Sequence, residues 1–225
     1  MQTTLQIGGK SVRLDLYEPR SEGPRPAILL LHGAGGNTGY WLDGLAPLLA
    51  RAGIAAYAVH YFDRTGTIRA DPRTLSDGVH VPLWLDTIRE TLVELSRRPT
   101  VDAKRIALVG VSLGAFLSLA VATDPGTPRI RAIVDVSGGL VPPYEAAATA
   151  AFPPTLILHG DADTVVSVSH AHALDVRLNA LKVEHPVHIF PGEGHWFSDG
   201  AQMRILAYAS GFLARHLASE HAGSS

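Results

Sequence analysis

The chain has 225 residues, 46% of them apolar and 18% charged, with a formal net charge of −2 and no cysteine. That length can bury a sizeable core, the near-neutral balance offers no electrostatic footprint for nucleic acid or an anionic membrane surface, and the lack of cysteine rules out disulfides and thiol chemistry. No apolar run approaches the roughly 18 residues of a membrane span, so neither nucleic acid nor membrane is expected as a partner.

In chain order, residues 3–8 and 11–17, split by Gly8 and Gly9, read as an opening hairpin. Residues 1–10 show no charged-then-apolar signal pattern, so a cytoplasmic protein is expected. Strands follow at 26–32, 54–60, 105–111, 130–136, 154–159 and 186–190. Helices are expected at 38–52, 81–97, 113–123, 167–181 and 198–217. This alternation predicts an α/β fold: a mostly parallel, twisted sheet of about eight strands with helices on both faces. One domain is expected across 1–225, with 218–225 as a flexible tail. Two segments interrupt the alternation, 61–80 and the alanine- and proline-rich 138–154. Both should overhang the carboxyl ends of the strands, where ligands bind in open α/β sheets, and 138–154 is too short to fold as a real cap.

The most informative stretch is the apolar strand ending in Gly110-Val111-Ser112-Leu113-Gly114 and running straight into an apolar helix. A serine at such a strand-to-helix turn must sit in a crowded backbone conformation with its hydroxyl outward, the arrangement of a nucleophile elbow. Gly110 and Gly114 suit it because a side chain at either place would meet the neighbouring strand or helix. A serine hydroxyl needs a base and a group to orient that base. Downstream, a strand ends in His159-Gly160-Asp161-Ala162-Asp163, and a later one is followed by Gly192-Glu193-Gly194-His195-Trp196-Phe197. The order serine, aspartate, histidine is that of the α/β-hydrolases.

On these residues the chain resembles an α/β-hydrolase, and most of all the dienelactone hydrolase family. The likeness also includes Leu31-His32-Gly33-Ala34-Gly35-Gly36 and Tyr61-Phe62-Asp63-Arg64-Thr65-Gly66. One departure stands out: dienelactone hydrolases proper carry cysteine as nucleophile, whereas position 112 is serine. Serine there resembles the esterase-like and peptidase-like members of the superfamily.

The resemblance places the acid at the last position of the H-G-x-x-D pattern, Asp163, leaving Asp161 to close the turn by bonding backbone two residues on. Asp135 lies too far inside its strand to orient a base comfortably, although some relatives place the acid after that strand. The expected oxyanion donors are the N–H groups of Leu113 and Ala34. The aromatics Tyr61, Phe62, Trp41, Tyr144, Trp196 and Phe197 are the candidates for the substrate pocket, and Arg64 reads either as a carboxylate binder or as a solvated loop charge.

No metal or cofactor is expected. His170 and His172 are two apart on a helix, His185 and His188 an odd number apart in an extended segment, and His32 and His159 read as structural histidines. The resulting expectation is a cofactor-independent serine hydrolase acting on a small ester, lactone or related acyl compound. A peptidase, an acyltransferase and a non-catalytic ligand-binding protein of the same fold are the alternatives. The sequence leaves substrate identity and oligomeric state open.

Overall fold

The computed structural model describes residues 1–19 and 23–218, and the side chains of residues 39–43 stand outside that description. Strand β1 (Gln2–Ile7) turns back into β2 (Lys10–Tyr17) through Gly8 and Gly9 at φ of +52° and +74°. Both turn residues are left-handed, as a tight two-residue hairpin requires. There follow β3 (Arg25–Leu31), α1 (Gly39–Arg51), β4 (Ala55–Val59), α2 (Pro72–Ser76), α3 (His80–Arg97), β5 (Val101–Val111) and α4 (Leu113–Val121). The chain continues through β6 (Ala132–Val136), α5 (Tyr144–Ala147), β7 (Thr155–Gly160), α6 (Ser169–Ala180), β8 (Val187–Phe190) and α7 (Asp199–Leu217).

The eight strands form one sheet in the order β1-β2-β4-β3-β5-β6-β7-β8. β2 pairs antiparallel with β1 and β4, and every other pairing is parallel. This is the mostly parallel sheet of about eight strands that the alternation predicts. Its inner strands are apolar runs because both faces are covered. Ile88, Leu92 and Leu95 of α3, Leu117 of α4 and Leu174 and Leu178 of α6 pack on one face with Leu29 and Leu31 of β3. Leu45 and Leu49 of α1 and Ile205, Phe212 and Leu213 of α7 pack on the other with Ile28 and Leu30. Successive residues of one strand thus serve opposite cores.

Two differences from expectation have local causes. β5 begins at Val101 rather than 105, because Asp102, Lys104 and Arg105 make its first part look like a loop although it pairs with β3 through a register shift. Within 61–80 the chain makes a 3₁₀ turn at Tyr61–Arg64 and then α2, which Asp71 and Thr74 close with a capping box ahead of Pro72. Within 138–154 the only helix is the four-residue α5. The expected tail lies, from residue 219 on, outside the described residues. Among the described residues no helix is long and apolar enough to cross a membrane, and no group of three or more His, Cys, Asp or Glu side chains could hold a metal ion.

Candidate active site

Ser112, Asp163 and His195 come together at the carboxyl edge of the sheet, each in the loop that leaves a strand. Ser112 sits between β5 and α4 at φ +52° and ψ −122°. A residue with a Cβ pays for that conformation unless its surroundings enforce it, and here the contacts on both sides do. A Cβ on Gly110 would come within 2.6 Å of Ala115 Cα, and one on Gly114 would come within 2.6 Å of the His32 carbonyl oxygen and overlap that of Leu31. The helix therefore presses on both its own strand and β3, and glycine is the residue that allows it.

His195 Nε2 lies 3.1 Å from Ser112 Oγ, and its Nδ1 lies 2.7 Å from Asp163 Oδ2. A carboxylate only accepts, so Nδ1 carries the hydrogen and Nε2 is free to accept from the serine hydroxyl. Asp163 Oδ1 accepts the N–H groups of Val165 and Val166, each at 2.8 Å. Burial alone would push this carboxyl up, but those two N–H groups and His195 outweigh it and hold it below its ordinary range. Asp163 is therefore an anion facing an imidazole.

Asp161 was expected to close its own turn, but Asp163 bonds the turn backbone as well as His195. Asp163 Oδ1 bonds backbone two and three residues on, while Asp161 Oδ1 accepts from Gly192 N at 2.6 Å and so ties the acid loop to the histidine loop. The two loops are further laced by Ala162 N donating to Glu193 O at 3.0 Å. They pass so closely that a Cβ on Gly160 would come within 2.7 Å of the Glu193 carbonyl carbon. Glu193 then caps the far side, accepting from Ser198 N and Oγ. Asp135 sits fully buried on β6, and burial raises its carboxyl to about 7 against a lesser pull from the Gly138 N–H.

The loop after β3 passes directly over the serine, close enough that a Cβ on Gly33 would touch Ser112 Cβ at 3.4 Å. Three of its carbonyls are engaged. His32 O accepts from Tyr61 Oη at 2.6 Å, Gly33 O accepts from Gly36 N and faces His32 Nδ1, and Ala34 O accepts from Ala70 N. Burial pushes the His32 imidazole down to about 4, so it is neutral and donates from Nδ1. In a trans peptide the N–H points opposite to the C=O. Fixing Gly33 O therefore fixes the direction of the Ala34 N–H. Likewise Ser112 O accepts from Ala115 N and Phe116 N inside α4, so the Leu113 N–H points back out of the helix.

Several expected pocket residues lie elsewhere. Tyr61 is wholly buried, stacked on His32 at 4.0 Å, and Phe62 packs edge-on against the same ring, because the 3₁₀ turn rotates both beneath the loop. Phe62 lines a cavity of about 430 Å³ between residues 35–37 and 66–68, and none of Ser112, Asp163 and His195 lines it. Phe197 packs on Phe190 in the α1/α7 core, and Tyr144 rests half-buried on the opposite core. Trp196 is 86% exposed with its ring edge-on to His195 at 5.4 Å. The side chain of Trp41 lies outside the described residues. Arg64 donates to Gly8 O at 2.8 Å and braces the β1–β2 turn, well away from the serine loop.

The comparisons agree with this architecture. A dienelactone hydrolase-like promiscuous phosphotriesterase from metagenomic libraries superposes with a TM-score of 0.77 at 22% identity, over 96% of this chain and 99% of that one. Esterase PE8 superposes with a TM-score of 0.72 at 25% identity, over 90% and 98%. Acyl-coenzyme A thioesterase 6 of Mus musculus is 34% identical over 136 residues, which are 59% of this chain and 30% of the mouse protein, so the chain spans about a third of that relative. The model of the dienelactone hydrolase family matches residues 13–213. With that match over most of its length, the chain belongs to the dienelactone hydrolase family.

Proposed function

We propose that the protein hydrolyses small carboxylic esters, lactones or thioesters through an acyl-enzyme on Ser112, with the whole site carried by one domain. The observation that carries this reading is the unbroken line from Ser112 Oγ through His195 to Asp163 Oδ2, at 3.1 and 2.7 Å. His195 Nε2 takes the hydroxyl proton as Oγ attacks the carbonyl carbon, and the imidazolium formed is stabilised by the Asp163 carboxylate. Negative charge moves to the carbonyl oxygen, where the N–H groups of Ala34 and Leu113 meet it, each worth ~3 kcal/mol in the transition state. The protonated imidazole then gives its proton to the departing alkoxide or thiolate. Water, deprotonated by the same nitrogen, attacks the acyl-enzyme, and collapse releases the acid and restores Ser112.

Family membership, the esterase neighbours and the thioesterase relatives all support an acyl-oxygen or acyl-sulfur substrate. The cysteine of the namesake enzymes is replaced by serine, whose less nucleophilic oxygen depends on the base that His195 provides. With only the four-residue α5 in 138–154, that segment supplies no folded cap for the serine, which favours short acyl groups.

The test is a panel of activated esters from acetate to palmitate beside thioesters, dipeptide amides and lactones. The reading expects kcat/KM highest for short acyl esters or thioesters and negligible for amides. Amide cleavage above ester cleavage would make the protein a peptidase, and no turnover on any arm would make it a binding protein.

A further inference from the structure

Asp163 lies between two imidazoles, and the mechanism above uses one of them. The other, His159, is the residue before the end of β7 and is wholly buried. Its Nε2 is 2.9 Å from the Val166 carbonyl oxygen and 3.5 Å from Asp163 Oδ2. The first distance is a hydrogen bond and the second is too long for one. We propose that His159 is a positioning residue for the triad: by pinning Val166 it fixes the turn that aims the Asp163 carboxylate at His195. The proposal rests on the Ser112–His195–Asp163 reading and adds a fourth member to it.

A carbonyl oxygen can only accept, so the hydrogen must be on His159 Nε2. The charged and titratable groups that act on this ring are Asp163 in its own loop, His195 after β8 and His170 on α6. Burial pushes the imidazole below its ordinary range and outweighs the upward pull of the Val166 carbonyl and Asp163, so the ring is neutral. A neutral donor holds the carbonyl without placing a second positive charge beside the carboxylate.

Val166 links His159 to the acid. Its carbonyl accepts from His159, and its own N–H donates to Asp163 Oδ1 at 2.8 Å. Among the groups that hold the Asp163 carboxyl below its ordinary range, that N–H is the strongest. The bonds run in series: His159 to Val166, Val166 to Asp163 Oδ1, and Asp163 Oδ2 to His195 Nδ1. Without the first link the 160–166 turn has lost a buried anchor, and the carboxylate can swing relative to the imidazole. Displacements of about 1 Å at a reacting centre cost on the order of 100-fold in rate.

The experiment compares His159→Leu and His159→Gln with wild type in the full chain. Leucine fills the space without a donor, whereas the glutamine amide can donate to the same carbonyl. The readouts are kcat and KM on a 4-nitrophenyl acetate assay, the melting curve, and the low-field proton resonance of the His195–Asp163 hydrogen bond. Folded His159→Leu should lose roughly 10- to 100-fold in kcat with KM unchanged, and its low-field resonance should broaden or vanish. His159→Gln should recover most of both. A merely structural histidine would lower the melting temperature and leave kcat and the resonance intact, and that result overturns the proposal, as does a glutamine no better than leucine. If His159→Leu does not fold, His159→Asn, whose amide is too short to reach the carbonyl, takes its place on the same readouts. A wild type with neither ester turnover nor the resonance removes the triad reading and this proposal with it. A normal wild type beside an unaffected His159→Leu removes this proposal alone.

Discussion

The two halves of the site are held in place by different physics. On the Ser112 side, position is enforced by contact: glycines at 110, 114 and 33 let β5, α4 and the β3 loop approach so closely that a side chain carbon at 110 or 114 would collide with backbone. On the side of Asp163 and His195, position is enforced by hydrogen bonds: Asp161 to Gly192, Asp163 to Val165 and Val166, and Glu193 to Ser198. Steric positioning acts only at contact range, even where, as at Gly33 and Gly114, it joins segments far apart in sequence. Hydrogen-bonded positioning here includes charged side chains, both within a loop and, through Asp161 and Gly192, between loops, so it is the half that responds to pH and to isosteric substitution.

The sharpest way to break the hydrogen-bonded half is to compare two carboxylates that differ in what they hold. Asp163→Asn keeps the shape of the side chain and removes the charge that stabilises the imidazolium, so kcat should fall on the order of 10³- to 10⁴-fold while the fold persists. Asp161→Asn weakens only the bond to Gly192 and should cost about 1 kcal/mol of stability with kcat within a few fold of wild type. Steady-state kinetics beside urea denaturation separates them, and the reverse ranking would give the orienting role to Asp161.

Asp135 tests the boundary between the halves, since it is a charge-bearing group set beneath the contact-built elbow, where a Cβ on Gly138 would meet its carboxyl and Ala115. Burial raises this carboxyl from 3.8 to about 7. A raised folded value means that the group's full stability is present below about pH 4, where folded and unfolded chains are both protonated. Stability then falls between about pH 4 and 7, where only the folded carboxyl keeps its proton, and is level above that. Across that window the wild type should lose on the order of 4 kcal/mol that Asp135→Asn does not lose. Denaturation curves at pH 4.5, 6 and 8 measure the difference, and parallel pH dependences would show that Asp135 is not the group responsible.

The contact-built half is tested by Gly114→Ala. The added carbon meets the backbone of Leu31 and His32, which cannot move without disturbing β3, so about 3 kcal/mol of stability should be lost. Unchanged melting would mean that α4 is free to shift and that glycine there is a matter of chance.

This division explains what the sequence made legible. The strand-turn-helix context of Ser112 and the alternation behind the eight-stranded sheet were readable because each rests on local pattern, whereas the choice of Asp163 rested on the resemblance to the family. The burial of Tyr61 and Phe62 beneath His32 was not, because a 3₁₀ turn and an exposed loop share the same short sequence, and only the loop from β3 decides which way the rings face. Nor was the task of Asp161, since its partner is Gly192, thirty-one residues on. Arg64 is similar: nothing near it in sequence points to the Gly8 carbonyl it braces.

The central claim, that Ser112 is the nucleophile activated by this site, is tested most directly by mass-spectrometric mapping of the protein after reaction with a fluorophosphonate. The account predicts a single adduct on the peptide that carries Ser112, no adduct in Ser112→Ala, and strongly slowed labelling in Asp163→Asn. An adduct on any other serine, or a folded, ester-cleaving wild type that takes up no label, would contradict it.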